Sequence, residues 1–226
     1  MRARSEPSRE VRMPAGAHHL VGDLVLPDAA TGLVLFAHGS GSGRHSARNR
    51  KVARRLQDAG IATLLFDLLT PEEEEVDLHT RQHRFDIPLL TQRLQDATAW
   101  AASDPPLQGL PIGYFGASTG AAAALIAAAR LGRQIGAVVS RGGRPDLAGP
   151  VVLSEVQSPT LLIVGSSDPV VVQLNRHAGQ HLRVEHDLLL VPGATHLFEE
   201  PGALEQVGEA AANWFVAHLA RREQHA

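Results

Sequence analysis

Cysteine is absent from this chain of 226 residues, lysine occurs once, and aromatic residues make up only 4%. Without cysteine there is no disulfide, thiolate zinc site, iron–sulfur cluster or thiol nucleophile. With Lys51 as the one lysine, no Gly-Lys-Ser or Gly-Lys-Thr phosphate loop can be written, and a Schiff-base enzyme would rest on that residue alone. A basic excess is also missing: 21 Lys and Arg against 24 Asp and Glu leave a net charge of −3, which excludes nucleic-acid binding carried by phosphate contacts. The most apolar run, Ala121 to Ala129, is far shorter than the roughly 20 residues of a membrane span. The Arg-, Ser-, Glu- and Pro-rich start lacks the apolar stretch of a secretory signal. These absences predict a cytoplasmic protein with no nucleic-acid or membrane partner. Residues 1–8 are expected to form a disordered tail. The 44% of apolar residues suffices for one core, so residues 9–226 are expected to form a single domain.

Short β-branched and leucine-rich runs alternate with helical patterns, the signature of a mostly parallel α/β sheet. Strands are predicted at His19–Leu26, Leu33–Ala37, Ile61–Phe66, Ile112–Phe115, Ala137–Ser140, Thr160–Val164 and Val184–Val191. Four are continuously apolar, as strands covered by helices on both faces should be. Helices are predicted at Ala47–Ala59, roughly Glu73–Ala102 with a break near Pro88, Thr119–Arg130, Val170–His181 and Leu204–Ala220. In Thr70-Pro71-Glu72-Glu73 a capping threonine, a proline at the first helical position and a glutamate three residues after the cap mark a helix start. The acidic run Glu72–Glu75 is thereby explained as charge set against a helix N-terminus.

The chemistry concentrates where Ile112-Gly113-Tyr114-Phe115 runs into Gly116-Ala117-Ser118-Thr119-Gly120 and then a helical run. A serine between two such glycines, at a strand-to-helix turn, is a nucleophile elbow: side chains at the glycine positions would collide with the neighbouring strand or helix. A serine hydroxyl needs a base near pH 7, and the base needs a carboxylate to fix its tautomer. In this architecture the order is Ser, acid, His, each after a later strand. Thr160–Val164 leads to Asp168 and Val184–Val191 leads to His196. Asp146 is the rival acid. The loop His38-Gly39-Ser40-Gly41-Ser42-Gly43 has the glycines that let backbone N–H groups approach a ligand, so the amides of Ser40 and Thr119 are the expected oxyanion donors. As a dinucleotide loop it fails, because the third glycine of G-x-G-x-x-G falls on Arg44.

This set, the strand-HG-x-G loop, the Ser118 elbow, Asp168 in Gly-Ser-Ser-Asp-Pro and His196 in Pro-Gly-Ala-Thr-His, resembles the α/β-hydrolase superfamily over roughly residues 19–220. Within it the set is most similar to dienelactone hydrolase-like members, including those fused to phosphoribosyltransferase domains. Dienelactone hydrolases proper use a cysteine nucleophile, and this chain has none, so the resemblance implies a serine esterase. Superfamily members often carry a helical lid after the strand that here ends near Ser140. Only Arg141 to Pro159 are available, so no large cap and an open, shallow site are expected.

The expected activity is therefore a serine hydrolase cleaving an ester, lactone or thioester of a small molecule through an acyl-enzyme, without a cofactor. Acyl transfer by the same residues and a non-catalytic binding protein of the same fold are the alternatives. Arg44 and Arg141 fall at the sheet edge where α/β folds bind ligands, and they are candidate substrate-binding residues. The resemblance implies a substrate carboxylate for them, and an arginine can grip a carboxylate through two parallel N–H bonds. The pairs His79/His83 and His177/His181 share the i, i+4 spacing of metal ligands, but neither has the glutamate of H-E-x-x-H or an evident third ligand, so no metal is expected.

Overall fold

The computed structural model describes residues 7–219. Residues 1–6, most of the expected tail, lie outside the described residues. Eight strands form one sheet: β1 (Arg9–Ala15), β2 (His18–Val25), β3 (Leu33–Ala37), β4 (Ala62–Phe66), β5 (Ile112–Ala117), β6 (Ile135–Arg141), β7 (Thr160–Gly165) and β8 (His186–Val191). Their order is β1-β2-β4-β3-β5-β6-β7-β8. The β1/β2 and β2/β4 pairs are antiparallel and the rest parallel. Seven α-helices accompany them: α1 (Ala47–Asp58), α2 (Pro71–Thr80), α3 (Ile87–Ser103), α4 (Thr119–Leu131), α5 (Gly149–Glu155), α6 (Pro169–Gly179) and α7 (Ala203–His218). This is an α/β-hydrolase fold with a mostly parallel sheet and no large cap. Among the described residues no helix is long and apolar enough to cross a membrane.

Side-chain alternation divides the core between the two faces of the sheet. Along β3, Leu33, Leu35 and Ala37 join the cluster formed with α3 and α4. Val34 and Phe36 join Val52, Leu56, Val207 and Phe215 of α1 and α7 on the other face. The runs of β3, β4, β5 and β7 are buried throughout, because in the middle of a covered sheet neither face meets water. Each large apolar side chain withdrawn in this way contributes about 1.5–3 kcal/mol.

Three elements differ from the sequence expectation, one of them the short helix α5, which was not anticipated. Strand β1 was not anticipated, although Val11, Met13 and Ala15 alternate inward. Its Pro14 argues against a central strand, but β1 is the sheet edge, where a missing N–H costs nothing. The helix expected over residues 73–102 is broken as anticipated, but ahead of Pro88 rather than at it, between Thr80 and Ile87. Arg81 closes α2 in the left-handed region at φ 58°, and Asp86 caps α3 with Pro88 inside its first turn. A proline has no N–H to donate, so it fits a helix start better than an interior. The predicted cap at Thr70 is formed, with Thr70 Oγ1 accepting from Glu73 N and Glu73 Oε2 accepting from Thr70 N.

The connector between α2 and α3 is tied down by Asp77, which is 2% exposed. Its carboxylate accepts the amides of His83 at 2.7 Å and Arg84 at 3.0 Å and pairs with Arg84 Nε. Arg84 Nη1 is thereby held 3.7 Å from where a side chain on Gly41 would begin. Asp77→Ala leaves a guanidinium and two amides without their acceptor, and a loss of about 3 kcal/mol is expected. Urea denaturation of the purified variant measures it.

Candidate active site

Strand β5 delivers Ser118 to a turn that only a narrow backbone can make. A Cβ on Gly116 would lie 2.5 Å from Cα of Ala121, and one on Gly120 would lie 2.2 Å and 2.4 Å from the carbonyl oxygens of Ala37 and His38. Squeezed between them, Ser118 adopts φ 51°, ψ −120°, a strained conformation for a residue with a side chain. Its amide donates to the Arg141 carbonyl at 3.2 Å, and its carbonyl accepts from Ala121 and Arg144 at 3.1 Å each. The Ser118 side chain makes no capping bond to α4.

Asp168 caps α6, one carboxylate oxygen accepting the Val171 amide at 3.3 Å. The other oxygen lies 2.8 Å from His196 Nδ1. An ionised carboxylate can only accept, so Nδ1 carries the proton and Nε2 is left with its lone pair. The rival acid is already occupied, since Arg144 donates to both oxygens of Asp146 at 2.8 Å and 2.7 Å. The loop bearing His196 is anchored on either side. A Cβ on Gly165 would lie 2.3 Å from the Ala194 carbonyl oxygen, and Phe198, with φ 56°, is fully buried. His196 Cε1 lies 3.6 Å from the position of a Cβ on Gly142. Gly142 directly follows the carbonyl that holds the Ser118 amide, so the imidazole sits beside the elbow.

The loop after β3 also reaches this point. A Cβ on Gly39 would lie 3.1 Å from Cβ of Ser118, and the Ser40 amide donates to Thr119 Oγ1 at 3.1 Å. The two residues expected to supply oxyanion donors are therefore adjacent and bonded to each other. His38 fixes the loop from beneath: its Nε2 accepts the Leu68 amide at 3.0 Å, which leaves the proton on Nδ1, 3.0 Å from the Gly39 carbonyl. Burial holds this imidazole below the usual histidine range. A cleft of about 590 Å³ opens along Gly41–Arg44, Ser46–Arg48 and Thr70–Pro71. It adjoins the loop, and none of Ser118, Asp168 or His196 lines it.

The two arginines singled out in the sequence have opposite surroundings. The Arg44 guanidinium faces Glu10 at 3.2 Å, Asp67 at 3.3 Å and Asp23 at 3.6 Å, so its charge is already compensated. Arg141, 8% exposed, ends β6 with its guanidinium 5.8 Å from the centroid of the Phe198 ring. Its Nε and Nη1 have no hydrogen-bond partner among the described residues. Burial, with repulsion from Arg48, pushes its pKa down to about 10, so it remains a cation at neutral pH.

His38, Asn175 and Phe198 were not anticipated from the sequence. Asn175 Nδ2 donates to the Gly143 carbonyl at 3.0 Å and the Val171 carbonyl at 2.8 Å, linking the helix of Asp168 to the loop that holds Ser118. A polar residue at a helix position otherwise facing the core was the available signal.

The profile of the α/β hydrolase domain family matches residues 30–220. A crystal structure of dienelactone hydrolase from Anabaena variabilis superposes with a TM-score of 0.94 at 55% identity, covering 96% of this chain and 100% of that one. Est1E from Butyrivibrio proteoclasticus superposes at 0.78 with 15% identity, over 94% of this chain and 99% of that one, a likeness of fold alone. Two curated relatives, from two strains of Mycobacterium tuberculosis, carry the provisional name phosphoribosyl transferase. Each is 57% identical over 210 residues, which make up 93% of this chain and 46% of the relative. The chain thus spans about half the length of the curated relatives it matches.

The strain at Ser118 has a measurable size. Ser118→Gly removes the side chain that makes φ 51° unfavourable, while Ser118→Ala keeps it, and neither loses a capping bond. The glycine variant is expected to be more stable than the alanine variant by about 1–2 kcal/mol, reversing the usual order of these residues, and parallel urea titrations give the difference.

Proposed function

The chain belongs to the α/β-hydrolase family, and on that premise we propose that it is a serine hydrolase cleaving a carboxylic ester, lactone or thioester. The observation that carries the reading is the 2.8 Å contact of Asp168 with His196 Nδ1, beside a serine held clear of its own helix. Ser118 Oγ attacks the acyl carbon as His196 Nε2 takes its proton. The oxyanion draws on the amides of Thr119 and Ser40, and the Ser40 N–H turns from Thr119 Oγ1 to the substrate oxygen. Collapse breaks the bond to the alkoxide or thiolate, which leaves with the proton from His196. Water then attacks the acyl-enzyme with His196 again as base, the Ser118 Oγ–acyl bond breaks to release the acid, and Ser118 Oγ takes the proton back from His196, while Asp168 stabilises the imidazolium at each stage. The transferase name belongs to relatives of twice this length, and we assign that activity to the part of them outside the match.

Ser118→Ala is expected to reduce hydrolysis of simple acyl esters by about 10⁴-fold or more and to abolish labelling by a fluorophosphonate. Asp168→Asn should lower kcat by about 10⁴-fold with KM little changed, whereas Asp146→Asn should leave both near wild type. Steady-state kinetics on the three purified variants decides it, and near-wild-type turnover in folded Ser118→Ala would sink the reading.

The substrate is proposed to carry an anionic group, a carboxylate being the simplest. Arg141 supports this, because a buried cation with no carboxylate partner among the described residues is costly unless a ligand supplies the charge. Arg44, compensated by three carboxylates, is set aside from that role. An ester bearing a free carboxylate should have a higher kcat/KM than its neutral amide analogue. Arg141→Gln should remove the difference mainly through KM, and equal values for the two esters in the wild-type protein would dispose of the idea.

A further inference from the structure

The two histidine pairs with i, i+4 spacing look equivalent in sequence, and the structure treats them differently. Helix α2 ends at Thr80, and the left-handed residue Arg81 breaks the helical spacing between His79 and His83. His83 Nε2 then lies 3.2 Å from the side-chain amide of Gln82, which occupies its lone pair. Beyond Gly179, by contrast, the chain keeps winding. The amide of Gln180 donates to the His177 carbonyl at 3.2 Å, and those of His181 and Leu182 donate to the Ala178 carbonyl at 3.0 Å and 3.3 Å. His181 is thereby carried over His177. The rings stand edge to face at 80°, and their Nε2 atoms are 3.3 Å apart.

We propose that His177 and His181 form a chelating site for a divalent transition-metal ion of the zinc or nickel kind, at the end of α6 opposite Asp168. The separation of the nitrogens is the first argument. Two imidazole nitrogens each bound to zinc at 2.0–2.1 Å, at the tetrahedral angle, stand about 3.4 Å apart, so the pair already has the required bite. In the metal-free protein this contact is an N–H···N hydrogen bond, so one ring carries its proton on Nε2; neither Nε2 has another partner among the described residues, and a shift of that proton to Nδ1 frees both lone pairs for a metal. His181 is half-buried and His177 exposed, so one ligand is held in place while the ion can still enter from solvent.

Electrostatics favours the same place. The last turn of the eleven-residue α6 carries the negative end of the helix dipole, which stabilises a dication and offsets the repulsion from Arg176 in the same turn. Neutral imidazole suits zinc, nickel and copper better than magnesium or calcium, which prefer oxygen. Among the described residues no group of three or more His, Asp or Glu side chains comes together. Water therefore fills the remaining positions, and the site is an open, exchangeable one. It is independent of the proposed hydrolysis, in which no step uses a metal.

The test is calorimetric titration of chelator-treated protein with zinc chloride, with the thermal unfolding midpoint followed in parallel. One ion per chain should bind in the micromolar range, and the midpoint should rise. Because the second ligand acts intramolecularly, His177→Gln and His181→Gln should each weaken binding by about tenfold or more and cancel the rise. Both should keep the wild-type midpoint in metal-free buffer and the wild-type ester kinetics, which separates a failure here from a failure of the hydrolase reading. His79→Gln should bind zinc as the wild type does. Absence of zinc binding by the wild type, undiminished binding by both α6 variants, or an equal loss in His79→Gln would overturn the site.

Discussion

Helix α4 enters the sheet where there is room for a backbone and nothing more. Gly120 packs directly against the carbonyls of Ala37 and His38, and Gly116 against Ala121. That approach fixes the distance between β3, β5 and α4 and forces Ser118 out of the ordinary backbone regions. It also brings the loop of Ser40 within reach of Thr119. The alanines of α4 follow from the same constraint, since Ala121–Ala124, Ala127 and Ala128 are all buried and a larger residue at any of them would push the helix off the strand. The conformation of Ser118, the proposed nucleophile, is thus a product of close packing, and its strain is balanced by the two hydrogen bonds its carbonyl accepts.

Much of this was legible because the informative residues are local. Ser118, Asp168 and His196 each follow a strand and stand among glycines and prolines, so their order and their place at one sheet edge could be read before any contact was known. Thr70 and Glu73 are three residues apart, and their mutual capping was equally readable. What could not be read depends on residues far apart in the chain. The partners of Arg44 come from β1, β2 and the end of β4, and β1 itself was obscured by Pro14. His38 reads as part of a glycine loop, and its bond to Leu68 exists only once β3 and β4 lie side by side. Asn175 reads as one polar residue of an amphipathic helix. Its bond to Gly143 depends on where α6 lies against the loop after β6.

The contrast between Arg44 and Arg141 shows how little residue type says by itself. Arg44 lies in the loop after β3 and Arg141 ends β6, both beside the same site. One ties the edge strand, the loop after β3 and the end of β4 together through three carboxylates, and its own backbone amide also donates to Asp67. The other lies against an aromatic face that offers only a partial counter-charge, with another arginine close enough to depress its pKa. Stability alone would favour an apolar residue at position 141, so its cation is more readily understood through what it can bind.

The burial of α4 also governs which parts of the molecule can open on their own. Nearly every residue of its first three turns is enclosed, whereas α2, built on the run Glu72–Glu75, buries only Asp77. Amide hydrogens in α4 should therefore exchange with solvent deuterium only when the whole domain unfolds, while those of α2 exchange through local fraying. Ser118, the proposed nucleophile, thus stands at the head of an element expected to exchange slowly, and the wall of the neighbouring cleft formed by Thr70 and Pro71 belongs to one expected to exchange fast. Changes of shape on binding can then be taken up by α2 without moving Ser118.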